Sequence, residues 1–347
     1  MPRFDPTEFG RLLARLTPQE LRQVEGMVAK TRERAEAVLE IDARAEVVGP
    51  AAACPRCGGG ERIRLGRTRT GAQRWSCSGC GATWSGRSGT PLARVHRPDL
   101  VVALARDMIE APQPMSCRRA AEVLGTSRHS VWRWRMTIIG ALTPEPESTL
   151  AGIVEADEAH QRESRKASRE WVRHRCDPAS ISAPPRLRWE DYRRRGAASR
   201  TPPGGWRAWE KKFLAATDRA GHRAVEAIAD AGQVAISGAL LPVMAPDAVL
   251  CTDGHLTYEA IARDERIPHF VFVAGRRSKL TPRSHHINTV NALIGRFRAF
   301  MQPFCGPASK NLAAYGRWHA ARDNADRSYL DVLRMLLASG HPTNTVC

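Results

Sequence analysis

The sequence predicts a multidomain chain: a helical N-terminus, a small cysteine-rich ribbon, a helix-turn-helix, and then an α/β domain. Three observations carry that reading. Two Cys-x-x-Cys pairs stand nineteen residues apart. The run 117–138 has the cadence of two short helices around a glycine turn. From about residue 150, short apolar runs of β character (GIVEAD, FLAATD, AVLCTD, HFVFV) alternate with helical segments.

The bulk numbers set the frame. A chain of 347 residues has room for two or three domains, and 42% hydrophobic residues suffice for a packed core. Lys and Arg number 53 against 36 Asp and Glu, a net charge of +17. A surplus of that size points to a polyanionic partner, nucleic acid first. Of nine cysteines, four form the two pairs, and Cys117, Cys176, Cys251, Cys305 and Cys347 are scattered, as in a reducing compartment. The opening MPRFDPTEFGRLL has no signal-peptide run, and no stretch reaches the ~18 apolar residues of a membrane span. The expectation is a cytoplasmic protein that does not engage membranes.

In chain order, residues 1–48 read as helical. Thr17-Pro18-Gln19-Glu20 is a capping box with proline at the first helical position, and Leu21, Val24, Met27 and Val28 follow at helical spacing. The ribbon is placed at 50–90, the helix-turn-helix at 96–142, a TPEPES linker at 143–148, and the α/β domain at 150–335. Within that last domain, 161–212 carries fifteen Lys/Arg against six Asp/Glu with two Pro-Pro pairs, and reads as a basic insertion. The tail GHPTNTVC reads as frayed.

Cys54, Cys57, Cys77 and Cys80 suit Zn²⁺, because two thiolate knuckles complete a tetrahedral site. A unit of about thirty residues builds no core of its own, so the metal holds it together. Arg62, Arg64, Arg67, Arg69 and Arg74 make it basic; Trp75 and Trp84 read as small-core residues ahead of a stacking surface. In the helix-turn-helix, small Ala121 lets the helices approach, Leu124 packs beneath, Gly125 turns, Ser127 caps, and Val131 and Trp134 face inward. Arg128, His129, Trp132, Arg133 and Arg135 then decorate a recognition helix for the major groove.

Two strands end in aspartate. Alternation puts Ile153, Glu155 and Asp157 on one face of the first, and AVLCTDGH ends in Asp253-Gly254. Two aspartates at neighbouring strand ends can share hard cations such as Mg²⁺, although a strand-end Asp is also a common turn former. From Arg266 to Arg322 there is no acidic residue, so a third carboxylate is absent there. Residues 285–304 form an amphipathic helix on Val290, Leu293, Ile294, Phe297, Met301 and Phe304. It can present Asn291 to metals and Arg298 to a phosphate; equally, Asn291 can be a helix-surface amide. Asn288 reads as the cap of that helix, and His286 is left open between capping and DNA.

This order of motifs resembles the ISXO-type transposases of bacterial insertion sequences over roughly residues 50–325. The cysteine knuckles, Ala156-Asp157-Glu158, Thr252-Asp253-Gly254, His286-Ile287-Asn288-Thr289-Val290-Asn291 and Trp318-x-x-x-Arg322-x-Asn324 carry the resemblance. It implies an RNase-H-like domain with an Asp-Asp-Glu triad and a lysine seven residues after the third member. The positions fall on Asp157, Asp253, Asn291 and Arg298, with Asn where the family has Glu and Arg where it has Lys. Some members carry Asn there. The resemblance further implies catalytic Mg²⁺ or Mn²⁺, double-stranded DNA partners (terminal inverted repeats and target), nucleoid association and a homo-oligomeric synaptic complex. The competing expectation is a transposase-derived DNA-binding regulator whose active site has decayed; a nuclease that cuts without joining is a third.

Overall fold

The computed structural model describes residues 5–48, 53–68, 71–142, 149–183, 210–273, 284–323 and 328–338. The expected linker 143–148, the tail from 340, Arg69, Asn324 and the middle of the basic insertion lie outside the described residues. The chain is a multidomain α/β protein that divides into two compact units, residues 1–106 with 329–347 and residues 107–328.

The first unit begins with helices α1 (Pro6–Leu13) and α2 (Pro18–Val48). The capping box forms reciprocally: the Thr17 amide donates to Glu20 Oε2 at 2.8 Å and the Glu20 amide to Thr17 Oγ1 at 3.3 Å. Only the C-terminal half of α2 is buried, through Val38, Ile41, Asp42 and Ala45. It packs on α11 (Tyr329–Ala338) and against the ribbon. The ribbon is an antiparallel sheet of β1 (Arg62–Arg67), β2 (Gln73–Cys77) and β3 (Thr83–Ser85). Asp42 pairs with Arg87, Glu46 accepts the Gln73 amide at 3.0 Å, and a Cβ at Gly86 would sit 2.9 Å from the Glu46 backbone nitrogen. The glycine is what lets the ribbon's end lie on α2.

The second unit holds α4 (Cys117–Leu124) and α5 (Arg128–Ala141), joined by a three-residue turn. Gly125 adopts φ +62°, a left-handed conformation that a side chain disfavours. Ser116 and Ser127 cap the two helices by accepting the amides of Arg119 and Ser130. Ala121 and Val131 are buried at the crossing, as their spacing predicts.

The centre of this unit is a five-stranded mixed sheet of order β6-β5-β4-β7-β8. Its strands are β4 (Ile153–Arg162), β5 (Glu210–Thr217), β6 (Arg223–Ile228), β7 (Val249–Thr252) and β8 (His269–Val271). β4, β5 and β6 form an antiparallel meander, whereas β4–β7 and β7–β8 are parallel. One face is apolar: Val154, Ala156, Leu214 and Ala216 pack with Ile236 and Leu240 of α7 (Gln233–Leu240) and Tyr258 and Ile261 of α8 (Leu256–Asp264). The opposite face meets α9 (Asn288–Met301) through edge-to-face rings Phe213 and Phe297, 5.0 Å apart. α10 (Leu312–Asp323) crosses β6 at Gly316, where a Cβ would come within 2.2 Å of the Val225 carbonyl oxygen.

Two expectations shift. β4 runs on to Arg162 and pairs with Glu210, Lys211 and Lys212, so the ends of the expected insertion belong to a β-hairpin, and 163–183 holds a short helix, α6 (Glu170–Cys176). β6 was not foreseen, because Arg223 and Glu226 interrupt its apolar run; pairing to β5 decides it.

Candidate functional site

Asp157 lies inside β4 and Asp253 one residue past the end of β7. The two strands are parallel, with Glu155 opposite Cys251. Continued by two residues, that register would bring Asp253, just past the strand, opposite Asp157. The period of two puts Asp157 on the face of Glu155, the one that meets α9. Asp157 is held up at about pKa 6, first by burial, then by the charges of Asp253 and Glu158; Arg298 pulls the other way without cancelling them. Asp253 is near enough for its charge to act on Asp157, and carboxylates, one of them partly desolvated, are donors of the kind a hard divalent cation takes.

Glu158 points to the other face. The Tyr258 hydroxyl donates to its Oε2 at 2.7 Å, and His255 Nε2 lies 4.0 Å from its Oε1. Tyr258 is fully buried, and burial with the neighbouring carboxylates raises its pKa well above the ordinary range. It therefore acts as a permanent hydrogen donor that fixes Glu158.

Asn291 and Arg298 are exposed on α9, seven residues and two turns apart. The apolar stripe of the helix, Val290, Leu293, Ile294 and Phe297, is buried as its periodicity predicts. The helix itself is shorter than expected: 288–301, with Gln302–Phe304 continuing as a 3-10 turn. Asn288 does not cap it. Asn288 is already the first helical residue, and Ile287 ahead of it makes no side-chain cap. Glu155, on the face of β4 that α9 covers, accepts the Val290 amide at 2.9 Å instead. His286 Nδ1 lies 3.0 Å from the same carboxylate, which is wholly buried, and Arg219 pairs with it. Sequence reading placed Glu155 on the face of Asp157 but gave it no task. Its signal was there: a carboxylate at an otherwise apolar strand position needs a partner.

In the ribbon, the sulfurs of Cys54, Cys57, Cys77 and Cys80 all lie within 4.8 Å of one another. Cys54 to Cys80 and Cys57 to Cys77 are each 3.6 Å. Zn–S bonds of about 2.3 Å in a tetrahedron separate sulfurs by about 3.8 Å, so the four can form a zinc site. Trp84 packs against the knuckles, buried with Cys54 and Cys77. Trp75 is only partly buried, and the Arg62 guanidinium lies 4.1 Å over its ring.

Of the five residues expected on a recognition face, Arg128, His129, Trp132 and Arg133 are exposed on α5. Arg135 is not, and that expectation is corrected: its side chain has no exposure. It donates to the Met115 carbonyl at 2.6 Å and to Cys117 Sγ at 3.3 Å, and lies over the Trp318 ring at 5.0 Å. Helical geometry explains this. Arg135 is four residues from Val131 and so shares the buried stripe, while Arg133, two residues from each, does not. The closing motif is structural as well: Trp318 Nε1 and Arg322 both donate to the Met108 carbonyl, and Arg322 also to Ala111 and Pro112 at the end of α3 (Pro98–Glu110). No helix among the described residues is long and apolar enough to cross a membrane.

No protein-family model matches the chain, and no curated protein does. Among solved structures it is similar to a cryo-EM structure of the simian T-cell lymphotropic virus intasome in complex with PP2A regulatory subunit B56 gamma. The TM-score is 0.30 and the identity 10%, over 62% of this chain and 69% of that one. A likeness this distant carries no argument about activity.

Proposed function

We propose that the chain is a DNA transposase of the ISXO type, built on an RNase-H-like domain. One observation supports this reading: Asp157 within β4 and Asp253 just past β7 lie on adjacent parallel strands, and Glu155, two residues before Asp157, holds the start of the helix that bears Asn291 and Arg298. The strand order, an antiparallel meander continued by two parallel strands, supports the RNase-H-like assignment. The ribbon and the exposed face of α5 bind the element's inverted ends, and the net charge of +17 supplies salt-dependent affinity for the backbone.

Asp157, Asp253 and Asn291 hold Mg²⁺ or Mn²⁺, which when bound stabilises negative charge at phosphorus and activates the attacking hydroxyl. The residues of the chain set when that is possible. Asp157 loses its proton only near pH 6, so the site binds cations poorly in acid. Arg298 holds a phosphate oxygen beside the pair. In the first reaction a water oxygen bonds to phosphorus as the bond to the 3′ oxygen breaks, freeing a 3′-hydroxyl. In the second, that hydroxyl attacks a target phosphodiester, and the displaced target 3′ oxygen takes up a proton. Two ends must be paired, which makes the working form an oligomer.

End-cleavage of DNA carrying the element's terminal repeats, with Mg²⁺ or Mn²⁺, tests the proposal. Wild type nicks and joins; Asp157→Ala and Asp253→Ala bind the ends without nicking. The second reading, a regulator that binds DNA only, has the neutral Asn291 as its support. Wild-type protein that binds the repeats and never nicks them establishes that reading.

A further inference from the structure

Glu155 is the buried polar group that the proposed chemistry leaves unused. It sits two residues before Asp157 on β4, on the same face, with no exposure. Three chain segments converge on it. Arg219, from the β5–β6 turn, pairs with its Oε1; His286 Nδ1 lies 3.0 Å from that oxygen; and the Val290 amide donates to Oε2. Arg219 also reaches Thr289 Oγ1 at 3.0 Å and the Ser284 carbonyl at 2.8 Å. Its turn is itself fixed, because buried Asp218 accepts the amides of Gly221 and His222 at 2.8 and 2.9 Å.

A buried ion pair adds little net stability, since desolvating two charges offsets their attraction. A well-packed apolar pair would hold the helix as tightly. What an apolar pair lacks is direction. The carboxylate fixes the rotation and height of the first turn of α9 against one residue of β4. Val290 is the third residue of that helix, and Asn291 follows it. Glu155 and Asp157 are about 7 Å apart along the strand. Anchoring Val290 at the first would therefore fix the position of Asn291 relative to the second. Arg298, two turns on from Asn291, is near enough for its charge to act on Asp157.

We infer that Glu155 and Arg219 are positioning residues that register α9 on β4 and thereby hold Asn291 as a ligand beside Asp157 and Asp253. This rests on the cation site proposed above.

The test is Mn²⁺ affinity of the full chain without DNA, followed by electron paramagnetic resonance, in Glu155→Leu, Asn291→Ala and the double variant. Asp157→Ala serves as the reference that removes the site. Outer-sphere supports of metal ligands cost about 10- to 100-fold in affinity when lost. Glu155→Leu is expected to weaken Mn²⁺ by that factor. The double variant is expected to bind no more weakly than Asn291→Ala alone, because both remove one interaction. Amide exchange at Val290 and Asn291 should quicken in Glu155→Leu. If Glu155→Leu does not fold, Arg219→Lys reads the same network, keeping the charge but losing the multi-pronged grip. Wild-type affinity in Glu155→Leu beside a weakened Asn291→Ala overturns the positioning role, as do losses that multiply in the double variant. If Asn291→Ala binds Mn²⁺ as wild type does, the third-ligand assignment fails and the inference with it, while Asp157→Ala still decides whether the cation site exists.

Discussion

The cysteine cluster and the proposed carboxylate site would assemble metal ligands in opposite ways. Cys54 to Cys80 span one short segment, two knuckles on a three-stranded ribbon whose own core is little more than Trp84 and the sulfurs themselves. Asp157, Asp253 and Asn291, the proposed cation ligands, are spread over more than 130 residues, so a sheet and a helix would have to bring them together. Where ligands are local, the metal makes the fold; where they are distant, the fold makes the site. On the proposed reading zinc would hold the ribbon together, whereas a divalent cation would be a replaceable ligand of a site that folds without it.

That contrast is breakable, most severely at the ribbon. Chelating zinc, or changing Cys77 to Ser, should unfold the region around Trp84, a loss on the order of 10 kcal/mol of local folding free energy. Tryptophan fluorescence and amide exchange would show it, with β4–β8 keeping their protection. A ribbon that stays protected without metal would erase the distinction.

Next in size, Asp157→Ala should lower end cleavage by ~1,000-fold or more, about 4 kcal/mol of barrier, while circular dichroism stays that of the wild type. Loss of the fold instead would mean that Asp157 is structural.

On α5, two arginines two residues apart should behave oppositely. Arg135→Met removes a buried anchor between α5 and Trp318 and should cost ~2–3 kcal/mol of stability. Arg133→Ala should leave stability within ~0.5 kcal/mol yet reduce the slope of log affinity for DNA against log salt by about 1. Denaturant titration and binding across a salt series would sort them.

The smallest effect concerns pH. Asp157 titrates higher in the folded chain, about 6, than in the unfolded chain. The folded state then binds the proton more tightly, so stability falls as pH rises from about 4 to 6 and levels off above that. Partial solvent screening keeps the amount small. Asp157→Asn should raise the metal-free melting temperature by ~1–3 °C at pH 7.5, with the gain vanishing toward pH 4. A variant that melts with the wild type at both pH values would remove the electrostatic strain attributed to the pair.

How much of this was legible beforehand follows the same division. The cysteine knuckles, the Thr17–Glu20 box and the Gly125 turn are local devices, read from spacing alone. Apolar runs mark both strands, but β4 does not end at Asp157: it runs on to Arg162 because pairing with β5 carries it past the apolar run. Arg135 was misplaced because a basic residue on a DNA-facing helix was assumed to point outward, although its spacing from Val131 gave the buried stripe. β6 and the Glu155 clamp were missed for one reason: pairing to β5 and burial against Arg219 are set by residues far away in the chain.

The most direct measurement is the location of a bound cation. Anomalous scattering from crystals of the full chain soaked in Mn²⁺ should give a peak within coordinating distance of both Asp157 and Asp253, lost in Asp157→Ala. A clear map with no peak at these two carboxylates, or with the Asp157 and Asp253 side chains turned away from one another, would contradict the account.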